Sequence, residues 1–122
     1  MTIRVLVIDD DETVRSVLES FLADQGWDVA CCSDGLSGIE AYGVGGAFDI
    51  VLLDLSMPEM DGIDAIKAIR ADKTIAHLYI VALTSFAMEE DESRCLAAGA
   101  NEYKSKPIGL QAVLDIVEGR LP

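Results

Sequence analysis

Two hydrophobic periods alternate along the chain. Short runs of β-branched and other apolar residues occupy positions 3–8, 27–31, 50–53, 78–83 and, in more polar form, 101–105. Each is followed by apolar residues at steps of three and four, the signature of an amphipathic helix. The first helical stretch puts Val14, Val17, Leu18, Phe21 and Leu22 on one face. Leu36 and Ile39 mark a shorter second helix, and Ile63, Ile66 and Ile69 a third. Met88, Cys95 and Leu96 mark a fourth, and Leu110, Val113, Leu114 and Val117 a fifth. Gly26 and Gly99 stand where helices should stop. Glu89, Glu90, Asp91 and Glu92 load the first turn of the fourth helix with the charge its dipole favours. Strands apolar on both faces and separated by helices predict an α/β fold, a doubly wound (βα)5 parallel sheet with right-handed crossovers. In such a sheet the ligand site lies at the carboxyl ends of the strands, where strand order reverses.

Composition narrows the function. At 122 residues the chain is expected to be one domain, spanning 1–122, with room for a single sizeable core. A net charge of −13 argues against direct DNA binding and against an anionic membrane surface, and favours a cation or a protein partner. Cys31, Cys32 and Cys95 form neither a metal-binding spacing nor a disulfide framework, which fits a reducing compartment. With no secretory leader and no apolar run approaching the ~18 residues of a membrane span, a cytoplasmic protein is expected.

The predicted strand ends carry the chemistry. The first strand ends in Asp9 and Asp10, the third in Asp54, the fourth in Thr84 and Ser85, and the fifth in Lys106 before Pro107. A parallel sheet brings these residues to one edge. Carboxylates about 4 Å apart repel by about 4 kcal/mol per pair at an effective dielectric of about 20, so the acids call for a cation. Hard oxygen donors suit Mg2+ or Mn2+ and a phosphate oxygen beside it. With the ion present, one carboxylate oxygen can attack a phosphodonor to give an aspartyl phosphate. Thr84 would donate a hydrogen bond to one phosphoryl oxygen, and Lys106 would place its ammonium against another. Asp11 and Glu12, by contrast, are read as a helix cap and a dipole partner. His77 is read as a surface or loop residue.

The same pieces resemble the receiver domain of two-component response regulators, the CheY-like family. They are VLVIDD (5–10), LLDLSMPEMDG (52–62), ALTS (82–85), AAGANEY (97–103) and SKP (105–107), in register over essentially the whole chain. The resemblance implies strand order 2-1-3-4-5, Asp54 as phosphoacceptor, and Mg2+ held by Asp9, Asp10, Asp54 and the backbone carbonyl of Ser56. It further implies that Thr84, Ser85 and Lys106 meet the phosphoryl group. Tyr103 would be an aromatic that swings inward, and the Lys106–Pro107 peptide would be cis. The donor would be a histidine kinase or phosphotransfer protein, and the output a protein contacted through the fourth helix, fifth strand and fifth helix. The protein would be a monomer, or a dimer formed on phosphorylation. Phe86, bulky for the family, implies slow dephosphorylation. The 84–108 segment is also similar to single-domain cell-cycle regulators and to receivers fused to hybrid histidine kinases; the opening MTIRVLVIDD favours a free-standing protein.

One rival comes from another class. VIDDDET (7–13) also fits the Asp-x-Asp-x-Thr signature of haloacid dehalogenase-type phosphatases, with Asp9 as nucleophile, Asp11 as general acid and Thr13. That family needs a late acidic metal motif, whereas only Asp115 and Glu118 follow Lys106. The chain is also short for that fold, and Asp54 would have no role.

Overall fold

The structure is a computed structural model describing residues 3–32, 48–55, 62–71, 77–84, 89–106 and 108–119. Its elements, in chain order, are β1 (Arg4–Ile8), α1 (Glu12–Asp24), β2 (Asp28–Cys32), β3 (Ile50–Asp54), α2 (Gly62–Ala71), β4 (Tyr79–Thr84), α3 (Glu89–Ala98), β5 (Glu102–Ser105) and α4 (Leu110–Glu118). Helices α2, α3 and α4 correspond to the third, fourth and fifth of the predicted pattern. The short second helix at Leu36 and Ile39 lies outside the described residues. All strand pairs are parallel, in the order β2-β1-β3-β4-β5. Chain order therefore reverses between β1 and β3, and the crevice beyond their carboxyl ends is where a ligand is expected.

Alternation along the strands divides the core into two layers. Leu6, Ile8, Val51, Leu53, Ile80 and Ala82 face one side, where they join Ala65, Ile66 and Ile69 of α2 and Cys95 of α3. Val5, Val7, Ile50, Leu52, Val81 and Leu83 face the other, against Leu18 and Leu22 of α1 and Val113 and Val117 of α4. Central strand β3 is buried along its whole length, whereas edge strands β2 and β5 are mostly half-buried or exposed. The predicted helix faces need correction at three positions: Val17 is 48% exposed, Leu96 43% and Leu110 38%. Ile116, which the sequence reading did not place on the α4 face, packs against the core instead.

The amino-terminal edge of the sheet is fastened by one side chain. Arg70, in the last turn of α2, donates to the carbonyls of Leu78 at 2.6 Å and Gly99 at 2.9 Å, and to Asn101 Oδ1 at 2.7 Å. The same Oδ1 accepts the Ile80 amide at 2.8 Å, while the Asn101 amide donates to the Ile80 carbonyl at 2.8 Å. One guanidinium thus ties α2, the end of α3, and the starts of β4 and β5. Gly99 is needed beneath it twice over: its φ is +123°, and an added Cβ would lie 2.7 Å from Arg70 Cγ.

Replacing Arg70 with methionine should therefore cost about 2–4 kcal/mol, since charged hydrogen bonds contribute about 1.5–3 kcal/mol each and their loss strands acceptors in a packed region. Urea unfolding checks this. An unchanged midpoint would mean that the clamp carries no weight.

Candidate functional site at the carboxyl edge of the sheet

The parallel strands deliver a polar side chain each to one edge. Asp9 follows β1, Asp54 closes β3, Thr84 closes β4, and Lys106 follows β5. Asp9 and Asp54 are each 1% exposed and Thr84 is 7% exposed, while Asp10 faces solvent. Carboxylate oxygens of Asp9, Asp10 and Asp54 lie within 4.8 Å of one another. Lys106 Nζ sits between two of these acids, 2.8 Å from Asp9 Oδ2 and 3.4 Å from Asp54 Oδ2.

The local chain explains how Asp9 is held. Its amide donates to the Cys32 carbonyl at 3.1 Å, carrying the β1–β2 ladder one residue past the strand. Its Oδ1 accepts the Asp11 amide at 2.9 Å, and its carbonyl accepts the Arg15 guanidinium at 2.7 Å. Asp11 then turns to the helix: its Oδ1 accepts the amides of Thr13 at 2.9 Å and Val14 at 3.2 Å, making it the N-cap of α1. The acidic run is thus divided as the sequence suggested. This also counts against the phosphatase alternative, whose general acid would have to be a carboxylate already committed to capping.

With its carboxylates ionised, the cluster holds one ammonium against three negative charges. Repulsion at this separation is worth about 4 kcal/mol per pair at an effective dielectric of about 20, so the site is under-neutralised. Its donors are carboxylate oxygens, which fit Mg2+ or Mn2+ rather than a softer metal. Burial disfavours the Lys106 ammonium, but the Asp9 hydrogen bond and the charges of Asp54 and Asp9 outweigh it and raise the pKa above the ordinary lysine value.

Thr84 and Tyr103 belong to the other layer. Thr84 shares its strand parity with Ile80 and Ala82, and Tyr103 stands in register with Ala82 and packs against the same cluster. The Tyr103 hydroxyl is buried. The Lys106 amide donates to the Thr84 carbonyl at 2.7 Å, so the loop bearing the ammonium is tied to the strand bearing the hydroxyl. Ser56, Ser85, Phe86 and Pro107 lie outside the described residues, and with them the expected carbonyl ligand, the second hydroxyl, the shielding ring and the cis peptide. His77 lies in an exposed turn, as expected.

Glycine shapes the other approach to Asp54. A Cβ on Gly62, the first residue of α2, would fall on the Leu55 side chain and 3.1 Å from Leu55 Cα. The glycine of the LLDLSMPEMDG motif thus lets α2 start against the residue that follows Asp54.

Beside the site, on the α1/α4 side, lies a cleft of about 420 Å³ lined by Val14, Val17, Leu18, Leu83, Ile108 and Leu110, together with Asp11, Thr13 and Lys106. This accounts for the exposure of Val17 and Leu110. Burial first, and Glu19 next, push the Cys31 thiol up to about 11, so it is protonated at neutral pH. Arg15 was not singled out from the sequence. Its position four residues after Asp11, on the first helix beyond the acids, was the available signal.

Residues 5–118 match the family model of the response regulator receiver domain. The chain is 34% identical over 118 residues to the regulatory protein AtoC of Escherichia coli, an alignment covering 97% of this chain but only 25% of AtoC. It is 32% identical over 116 residues to the chemotaxis protein CheY of Pseudomonas aeruginosa, covering 94% of this chain and 93% of that protein. Among solved structures, chemotaxis protein CheY4 of Vibrio cholerae superposes with a TM-score of 0.89 at 27% identity, covering 99% of this chain and all of that one. Among the described residues, no helix is long and apolar enough to cross a membrane.

Lys106 gives the metal-free protein an alkaline signature. Its folded pKa lies above the unfolded value of 10.5, so its contribution is fully present below about pH 10.5 and is lost as pH rises through the folded pKa. Unfolding midpoints measured across that window should fall more steeply for the wild type than for Lys106→Met. Parallel profiles would show that the ammonium is not held by the acids.

Proposed function

Because the chain belongs to the response regulator receiver domain family, we propose that it accepts a phosphoryl group on Asp54 from a histidine kinase or phosphotransfer protein and relays the change to a protein partner. The observation that carries this reading is Asp54 itself, buried at a strand end beside Asp9 and Asp10 and within 3.4 Å of the Lys106 ammonium. A carboxylate so placed is shielded from bulk water and has a cation and two further acids as close neighbours. In the transfer, an Asp54 oxygen attacks phosphorus, the P–N bond of the phosphohistidine breaks, and its electron pair departs with the imidazole nitrogen. Asp54 becomes an acyl phosphate. A divalent ion held by Asp9, Asp10 and Asp54, with the Ser56 carbonyl as a further ligand, supplies charge neutralisation at the phosphoryl oxygens when bound.

Lys106 exchanges its carboxylate contact for a phosphoryl oxygen, and the hydroxyls of Thr84 and Ser85 supply hydrogen bonds to the others. Movement of Thr84 opens space on the face it shares with Tyr103, whose ring follows inward. The affected surface is α3, β5 and α4, where Glu102, Lys104 and Asp115 line a groove of about 370 Å³ and Lys104 pairs with Glu102 at 3.6 Å, leaving Asp115 as the acid without that lysine. A partner with basic contacts complements it. On the donor side, the exposed Val17 and Leu110 offer apolar contact beside Lys106, where a protein carrying phosphohistidine would dock.

Acetyl phosphate with Mg2+ should add one phosphoryl group, read by intact-protein mass, and Asp54→Asn should abolish it. Retained turnover of a phosphate ester in Asp54→Asn, with loss in Asp9→Asn, would reject the receiver reading in favour of a phosphatase.

Val17→Asp separates donor docking from chemistry. Transfer from a phosphorylated kinase or phosphotransfer protein should slow by about tenfold, the scale of one well-packed interface contact. Labelling by acetyl phosphate should not change. Equal slowing with both donors would place Val17 outside the docking surface.

A further inference from the structure

We propose that Arg15 is a positioning residue for the divalent-cation site, fixing the peptide between Asp9 and Asp10 through its guanidinium. The inference rests on the reading that Asp9, Asp10 and Asp54 hold that cation. Asp9 has four anchors. Its amide is held by Cys32, Oδ1 by the Asp11 amide, and Oδ2 by Lys106. The fourth is the Arg15 contact to its carbonyl, at 2.7 Å a distance typical of charge-assisted bonds. Strand β1 ends at Ile8, paired with Cys32 and Leu53, and the ladder's last bond is the Asp9 amide to Cys32, so the Asp9 carbonyl emerges beyond it and needs a donor from elsewhere. Arg15 supplies it from the second turn of α1, a helix itself set by the Asp11 cap. The direction of that carbonyl fixes the plane of the next peptide. Asp10 is exposed, so the backbone that carries it decides where its carboxylate stands relative to the buried pair.

Positioning and charge predict opposite signs. A cation beside three carboxylates opposes a divalent ion, so if Arg15 acted by charge alone its removal would tighten Mg2+ binding. If it positions the ligands, removal weakens binding, and outer partners of metal ligands commonly contribute about 10–100-fold in affinity.

Calorimetric Mg2+ binding and Mn2+ binding followed by electron paramagnetic resonance, on the metal-free full chain, decide between them. Arg15→Met should weaken both ions by about tenfold or more. Arg15→Lys, which keeps the charge and a donor, should recover part of the loss. The Mg2+ concentration for half-maximal labelling by acetyl phosphate should rise in parallel. Arg15→Gln, neutral but still a donor, gives a second measure if the methionine variant unfolds at low temperature; it should fall between wild type and methionine. Binding by Arg15→Met that equals or exceeds wild type overturns the inference while leaving the cation site intact. A wild type that binds neither ion overturns both.

Discussion

Like charge gathered at one edge is the constraint on which the rest of this structure depends. The parallel sheet leaves no choice in the matter. Once β1 and β3 run side by side in the same direction, their terminal aspartates converge, and with both 1% exposed, water cannot separate their charges. Lys106 answers the problem in the metal-free protein, arriving from a strand two places away from β3 in the sheet. It answers it incompletely, because one ammonium meets three acids. On the proposed function, a divalent cation would make up that shortfall, and the same ammonium would be drawn away when phosphoryl charge arrives. The resting contact and the signalling contact would then compete for one side chain.

Much of this was legible in the sequence because strand ends are read directly from where apolar runs stop. All five predicted strands appear within a residue of their bounds, and Asp9, Asp10, Asp54 and Lys106 lie together at the edge to which the topology brings them. The helices were less legible, since periodicity gives a direction around the axis but not the width of the buried stripe. At about 100° per residue, Val17 lies about 140° from Leu22, far enough to leave the core although both fall in the same run of spacings. Leu110 fails for another reason. It shares an angle with the buried Val117, but it is the first residue of α4 and lines the cleft. In both cases an apolar residue was assigned to the core when the fold leaves it beside the site.

The arginines were illegible for a different reason. Each donates to main-chain carbonyls, Arg15 to that of Asp9, six residues away, and Arg70 to that of Gly99, 29 residues away. Partners of that kind have no side-chain identity to signal them. Hydrophobic period predicts elements and charge predicts clusters, but a donor aimed at a carbonyl becomes visible only once the backbone path is known. The motif glycine at Gly62 is intermediate. Its presence was plain, whereas the Leu55 contact that requires it was not.

The two arginines stand at opposite edges of the sheet, and the difference bears on how a local change could reach a partner. Helix α3 is pinned where it ends, because Arg70 holds the Gly99 carbonyl and Asn101 together with the starts of β4 and β5. Its other end follows β4, whose last residue is Thr84. A helix is stiff along its axis, so a shift at Thr84 cannot slide α3 as a whole while its far end is held. The displacement must appear as a tilt, largest beside the site and smallest at the clamp. Among the described residues of α3, Cys95 is the buried one that packs against the sheet, and it lies in the half nearer the clamp. Leu96 is 43% exposed beside it, so the anchored half already presents an apolar residue outward. On the proposed function, a partner resting on α3 and β5 would therefore meet one fixed region and one that moves, and would read phosphorylation as a change of angle between them.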